Sequence, residues 1–507
     1  MTSQKIIDTT SLAKLASELR TEGKKVVLCH GTFDLMHTGH IRYLQRAKKE
    51  GDILIVTVTA DEFVNKGPGR PVFGEQLRAE NLAALECVNY VSINYSVTAV
   101  ELLKKIRPSI YVKGSEYRDH SGDVTGNITQ EISAVEKYGG TIFYTDEITF
   151  SSSELLNEHF GVFPSATKIF LDEFGLKYSD KQIHAQIDSL VDLKVLVVGD
   201  AIIDQYHYVT PLGQTGKGNV LAVQHQGEEQ FAGGSLAVAN HVSQFVKGVD
   251  LLTGLGRSDS HEEFIRERLK ENVCPIFAYY KDAPTVTKRR FVDVELAKFF
   301  EVYFFQENPE FEDIERQALA WLRQNLPKYD LVIVADFGNG FVSEEMVKIL
   351  CQKAKFLAVN TQINSGNRGF HVINRYTRAD FVSLNEPELR LAAHNRHDTL
   401  EVLCQDIASK LRTKAFAVTR GTKGVVLFNS KNGIFHKVPA LSSKVVDRVG
   451  AGDAFLSLAS LCLARDLDAD VANFVGSVAA AMDVQIVCNR DPVDPVNLKK
   501  YVSTLLK

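Results

Sequence analysis

Apolar runs of strand length alternate with stretches of helical period along nearly the whole chain, and this alternation restricts the fold more than any other feature. Strands that recur one helix apart cannot be joined by tight hairpins, so they pair in parallel with helices packed on the sheet faces. In the first third, KVVLCHG, DILIVTVTA, VNYVSIN, SIYVKG and TIFYTD have strand character, and IRYLQRAKKE, EQLRAENLAALE and VTAVELLKKI between them have helical character. The pattern breaks near residue 160, where GVFPSATKIFLDEFGLKYSDKQIHAQIDSL is more polar and helical. A second series opens with KVLVVGDAIID at about Lys194 and runs to the C-terminus. Within it NVLAVQHQGEEQ and AKFFEVYFFQ alternate like exposed antiparallel strands, which predicts a small sheet standing off the main one. A chain of 507 residues exceeds one ordinary core. The expected organisation is two unlike α/β domains, residues 1–160 and 192–507, joined by a helical linker over 161–191.

Bulk properties narrow the function. A formal net charge of −5 provides no general basic field, so no nucleic-acid partner is expected. Seven cysteines are dispersed without a CxxC pair, the pattern of buried free thiols in a reducing compartment rather than of a disulfide frame or a cysteine zinc site. The opening MTSQKIIDTTSLAKLASELR lacks a signal-type apolar region and no 18-residue apolar run occurs, so a cytoplasmic location without a membrane partner is expected.

HGTFDLMHTGH, residues 30–40, follows the first strong strand and leads into a helix near Gly39. A helix N-terminus placed there exposes amides that favour anionic oxygens. His37 and His40, three residues apart, can face one ligand from the first turn and stabilise charge developing on phosphorus. Gly31 and Gly39 let the backbone approach closely, and His30, which precedes the turn, reads as structural.

HGTFDLMHTGHIRYLQRAKKEGD, with GRPVFGEQLRAENLAALECVNYV, YVKGSEY and TFSSSELL, resembles the cytidylyltransferase-like nucleotidyltransferases over about residues 24–157. It is especially similar to the nucleotidyltransferase half of bifunctional ADP-heptose synthases. The resemblance implies a Rossmann-like domain that turns a nucleoside triphosphate and a sugar 1-phosphate into a nucleotide sugar and pyrophosphate. It further implies that His37 and His40 hold the triphosphate, with Gly31, Thr32 and Phe33 beside it, and that Lys113 contacts phosphate. Ser152 and Ser153 would cap a late helix facing the nucleotide, and Lys66 and Arg70 of KGPGRP would close over the substrate.

A second constellation lies in VVDRVGAGDAF, residues 445–455. Gly450, Ala451 and Gly452 at a helix start offer amides to an anion, and Asp453 in the first turn is placed to take a proton from an attacking hydroxyl. With VVGDAIID, FAGGSLAVAN, SLNEPE and TRGTKGVVLF in that order, residues 192–490 resemble the PfkB, or ribokinase-like, sugar kinases. That implies a ribokinase-like α/β domain with a small β lid. Asp204, Gly233, Gly234 and Asn240 would then contact the sugar, Asn385 and Glu388 would serve Mg²⁺, and Thr419, Gly421 and Gly424 would lie along ATP. TKRRF adds Lys288, Arg289 and Arg290; strand alternation puts Lys288 and Arg290 on one side, where a distal phosphate could bind. Three features depart from the family pattern: Asp447-Arg448 where Asp-Thr is common, SLAVAN after the glycine pair, and AVNTQINSGNRGFH in place of a DPK-like segment.

The two resemblances together imply a bifunctional sugar kinase and sugar-1-phosphate nucleotidyltransferase using Mg²⁺, ATP, and ATP or CTP as nucleotidyl donor. Sugar phosphate and nucleoside triphosphates would be its small-molecule partners. ADP-heptose synthases pair these modules kinase first; here the order is reversed, which marks a separate subfamily with heptose as the leading substrate. A CTP-dependent polyol-phosphate transferase, a chain with one retired half, and a non-catalytic sensor are the rival readings. Kinases of this family often pair through the lid, so a homodimer is a further expectation.

Overall fold

The computed structural model describes the chain except residues 1–3, 65–69, 119–126, 146–162, 217, 308, 368, 443 and 507. It divides into two compact units, Met1–Ser165 with Lys499–Lys507, and Ala166–Leu498.

The first unit is built on a parallel sheet of β1 (Val26–Gly31), β2 (Ile53–Thr59), β3 (Tyr90–Asn94), β4 (Ile110–Gly114) and β5 (Thr141–Thr145) in the order β3-β2-β1-β4-β5. Val26, Val27, Leu28 and Cys29 of β1 are all fully buried, as expected of a central parallel strand covered on both faces. The chain proceeds from β1 outward to β2 and β3, then returns to β4 on the other side of β1. The C-terminal end of β1 is therefore where the strand order reverses, the crevice in which open α/β sheets bind ligands. HGTFDLMHTGH emerges there.

A buried arginine fixes this turn. Arg78, from the helix Glu75–Ala83, donates from Nη1 to Thr32 O (2.6 Å), from Nη2 to Thr59 O (2.7 Å) and from Nε to Phe73 O (2.8 Å), and pairs with Asp61. Asp34 in turn accepts the amides of Val72 (2.8 Å) and Phe73 (3.0 Å), so the turn after β1 and the loop before the helix are locked together.

In the second unit one strand belongs to two sheets. β6 (Val195–Gln214) begins in the main sheet, where Val195–Gly199 pairs in parallel with β12 (Leu331–Asp336), and Val195–Asp200 with β8 (Val249–Ser258). β8 continues to β9 (Val273–Pro284), and β12 to β13 (Leu357–Thr361), β14 (Phe381–Asn385) and β15 (Ala415–Thr419), all parallel. Two antiparallel strands, β16 (Val425–Asn429) and β17 (Ile434–Val438), close that edge. From Ala201 onward β6 pairs instead with β7 (Leu221–Gly234), antiparallel, and from Ile202 with β10 (Val286–Val292), parallel; β11 (Lys298–Phe304) completes this lid. The expected exposed strands are thus β7 and β11, while the two inner lid strands were hidden in the apolar opening of β6 and in TKRRF.

Residues of the expected linker form two helices, Ser165–Lys177 and Asp180–Asp188, that pack within the second unit. Phe174 stacks on Phe474 at 4.3 Å, and Tyr178 donates to Asp468 (3.1 Å). The seven cysteines are free; five are buried, Cys87 is half-buried and Cys274 is exposed. No helix among the described residues is long and apolar enough to cross a membrane.

Arg78→Ala strands three carbonyls and Asp61, and is expected to destabilise the first unit by about 3 kcal/mol or more in denaturant unfolding. Arg78→Lys should not restore it, because an ammonium cannot span the fork of partners. Unchanged unfolding in Arg78→Ala would show that the turn holds itself.

Candidate active sites

In the first unit the helix Thr38–Lys48 starts directly beyond the crevice, with His37 as its N-cap. His37 Nδ1 accepts the Gly39 amide at 3.1 Å, which assigns the proton to Nε2. That Nε2 is buried and meets no acceptor, leaving a donor poised for a ligand oxygen. His40 bonds through Nδ1 to Leu35 O (3.1 Å), and the two imidazoles stack with centroids 4.0 Å apart. Burial lowers the His37 pKa, so this ring acts as a neutral donor. Phe33, with φ +49°, turns its ring edge toward His40 at 5.4 Å, and the ring covers Gly31. Gly31, Thr32, Phe33, His37 and His40 therefore form one turn.

The other expected residues of this unit are less uniformly gathered. Lys113 on β4 pairs with Glu131 (2.8 Å), whose same oxygen accepts Tyr111 OH at 3.0 Å. Arg70 is partly buried, which lowers its pKa against the opposing charge of Asp34. His30 is pushed down to about 3 by burial and then by Lys113, and bonds to Thr57 Oγ1 at 2.9 Å. Ser152, Ser153 and Lys66 lie outside the described residues.

The second unit encloses a cavity of about 470 Å³. Asp204, Gly234, Lys288 and Arg290 line it from the lid strands, Asn385 from the end of β14 and Glu388 from the first turn of the helix Glu386–Ala392. Thr419, Gly421 and Gly424 line it from the β15–β16 turn, and Gly450, Ala451, Gly452 and Asp453 from the start of the helix Ala451–Ala464. Two expected residues are not in its wall. Gly233 acts indirectly, since a Cβ there would lie 2.0 Å from Asp204 Oδ2. Asn240 is used by the backbone, donating to Arg268 O (3.0 Å) and accepting from Lys270 N (3.0 Å).

Three local devices shape this cavity. First, Asp204 and Arg290 form a buried ion pair, with Glu301 accepting Arg290 Nε at 3.0 Å. Lys288 shares the inner lid face, its pKa lowered by burial against the attraction of Asp204. Second, Asp447 organises the glycine turn: its Oδ1 accepts the Arg448 (2.7 Å) and Val449 (3.2 Å) amides, and its Oδ2 accepts Tyr206 OH (2.6 Å) and the Cys488 amide (3.1 Å). Gly450 then takes φ +106°, where a Cβ would strike Asn489 Oδ1 at 2.2 Å. The helix that begins here has no intrahelical partner for its first amides. Third, Asn385 and Glu388 form a capping box: each side chain accepts the other's amide at 2.8 Å, and Glu388 also accepts Ile363 N at 3.2 Å.

Carboxylates are crowded in this low-dielectric space. Burial, then the charges of Asp204 and Glu388 against that of Lys288, holds the Asp453 carboxyl at about 7. Glu388 is also raised to about 7 by burial. Asp483, whose buried oxygens accept no hydrogen bond and have His241 Nε2 3.8 Å from Oδ1, is raised well above the carboxylate range by burial and by Asp453. Raised carboxyls in a cleft are suited to proton transfer near neutral pH. No motif of the sequence points to Asp483, and Asp447 stands out there only as the neighbour of the divergent Arg448, not as the organiser of the glycine turn. Arg448, the departure in that motif, lines the cavity, and the divergent NTQINSGNRGFH segment contributes Gln362 and Ile363 to the wall.

Comparison with known proteins agrees with this division. The cytidylyltransferase-like family model matches residues 28–158, and the pfkB family carbohydrate kinase model matches residues 192–491. The bifunctional protein HldE of Syntrophotalea carbinolica is 41% identical over 138 residues, 27% of this chain and 27% of that protein. HldE of Aliarcobacter butzleri is 42% identical over 132 residues, 25% of this chain and 27% of its own. The matched segment thus spans about a quarter of these relatives' length. A variant of phosphofructokinase-2 from Escherichia coli superimposes with a TM-score of 0.50 at 15% identity, covering 62% of this chain and 99% of that one, a likeness of fold alone. Through residues 192–491 the chain belongs to the pfkB family of carbohydrate kinases, and it carries a cytidylyltransferase-like domain ahead of that kinase fold.

Proposed function

We propose that the chain is a bifunctional enzyme of nucleotide-sugar synthesis. The second unit phosphorylates a sugar, a heptose phosphate, at its anomeric hydroxyl with ATP. The first couples a sugar 1-phosphate to ATP or CTP and releases pyrophosphate. The observation that carries this reading is Asp453, a buried carboxylate at a helix N-terminus, sharing one cavity wall with Asp204, Lys288 and the glycine turn. The heptose assignment follows the resemblance of HGTFDLMHTGH and its companion segments to ADP-heptose synthases.

In the kinase reaction Asp453 removes the hydroxyl proton as the sugar oxygen attacks the γ-phosphorus of ATP, and ADP leaves. The amides at Gly450–Gly452 stabilise the charge on the transferred phosphoryl group. Asp204, held by Arg290, orients a sugar hydroxyl, and Lys288 with Arg448 faces the substrate's own phosphate. The oxygen donors Asn385 and Glu388 suit a hard cation and would hold Mg²⁺ through its water shell, and bound Mg²⁺ would neutralise phosphate charge. In the transferase reaction a sugar-phosphate oxygen attacks the α-phosphorus while pyrophosphate departs in line. His37 Nε2–H and the first amides of Thr38–Lys48 hold the triphosphate, and His40 supports the His37 ring by stacking.

Asp453→Asn is expected to lower phosphoryl transfer by about a hundredfold or more while sparing nucleotidyl transfer. Wild-type kcat/KM for phosphorylation should rise with pH through about 7, because the base must be ionised, and the rise should vanish in the variant. The same substitution should stabilise the fold. A carboxyl held at about 7 keeps its proton when the unfolded chain has lost it, so the native state is penalised as pH rises from the ordinary value of 3.8, and fully above 7. Unfolding at slightly alkaline pH should show a gain of about 1 kcal/mol or more. A variant that is equally active or less stable there contradicts the role given to Asp453.

For the first unit, His37→Ala should lower pyrophosphate release by about a hundredfold with phosphorylation intact, as loss of a transition-state donor does. Near-normal turnover would place the triphosphate elsewhere.

A further inference from the structure

The outer face of the lid gathers three side chains that neither reaction uses. His207 on β6 stands directly across from Glu228 on β7, with Nδ1 3.4 Å from the carboxylate oxygen. His225 lies three residues before Glu228, and in a regular strand that spacing would send the two side chains to opposite faces. A bulge intervenes: the register shifts between Tyr208 and Val209, so His225, not Gln226, pairs with Val209. The extra residue turns His225 onto the face of His207 and Glu228, while Gln226 bonds to Thr210 Oγ1 at 3.2 Å. As a result, ligand atoms of all three side chains lie within 4.8 Å of one another, and the two imidazoles are 5.7 Å apart.

We infer that His207, His225 and Glu228 form a binding site for a divalent transition metal of the Zn²⁺ class. Two imidazoles and one carboxylate are the donor set of a three-ligand zinc site with its fourth position left to water. His207 is held in place for ligation by its stack on Phe291 at 5.1 Å. The opposing charge is Arg289, which is engaged by Gln205 Oε1 (2.9 Å) and lies over the Phe304 ring at 4.7 Å. An ion bound here staples β6 to β7 three residues beyond Asp204, in the strand that carries this residue into the kinase cavity.

Binding is tested on untagged, chelator-stripped full-length protein titrated with Zn²⁺ against a chromophoric competitor. One equivalent is expected for the wild type and for Cys274→Ser, whose parent thiol is exposed. His225→Ala leaves the His207–Glu228 pair in place, and it and Glu228→Gln should each weaken binding by about tenfold or more. Both positions are exposed, so the variants should keep the wild-type far-ultraviolet circular dichroism. Co²⁺ in place of Zn²⁺ should give d–d absorption without thiolate charge transfer. Absence of stoichiometric binding, wild-type affinity in either variant, or a thiolate band would overturn the site.

Discussion

A parallel strand buried on both faces must release its chain at the end of the sheet, and the helix that follows begins there with amides that have no partner in the helix. The first candidate site rests on this constraint, and the second reaches a similar helix start by another route, through a loop after the antiparallel edge strand β17. After β1 the amides belong to Thr38–Lys48 and meet two stacked imidazoles. In the kinase fold they belong to Ala451–Ala464 and meet Asp453. The units differ in topology and in the residues recruited, yet each places fixed positive dipole where phosphate charge would develop.

The kinase cavity concentrates instability as well as chemistry. Asp453, Glu388 and Asp483 are all buried, and burial raises all three. Asp447 carries the positioning load, since one carboxylate satisfies three amides and a tyrosine and so shapes the turn whose φ at Gly450 only glycine accepts readily. Such a site costs folding energy that the large apolar core of the main sheet must offset. β6 connects these features: its first residues lie in that core, and its continuation brings Asp204 into the cavity.

What could be read from the sequence was what depends on near neighbours. HTGH works through residues three apart on one helical turn, and Lys288 and Arg290 share a face because strands alternate. The parallel architecture followed from the spacing of apolar runs. Long-range partners were hidden. Arg78 reaches Thr32 across 46 residues, and Tyr206 reaches Asp447 across 241, and no local pattern announces either. Asn240 illustrates a different limit: its place in a motif is plain, but not that its side chain serves the backbone at Arg268 and Lys270. NxxE at Asn385 and Glu388 fits a capping box as well as a metal motif, and the structure contains the box. The lid bulge that reorients His225 breaks the alternation on which strand reading depends.

The central claim, that these amide-rich turns handle phosphate in nucleotide-sugar synthesis, is tested most directly by pyrophosphate release from the full-length protein. ATP, CTP, GTP and UTP would each be combined with Mg²⁺ and a panel of sugar 1-phosphates that includes heptose forms, with products identified by mass. The account predicts release with ATP or CTP and a heptose 1-phosphate, and a nucleotide sugar of the corresponding mass. Silence across the panel from folded protein, or release confined to CTP with a polyol phosphate, would contradict it.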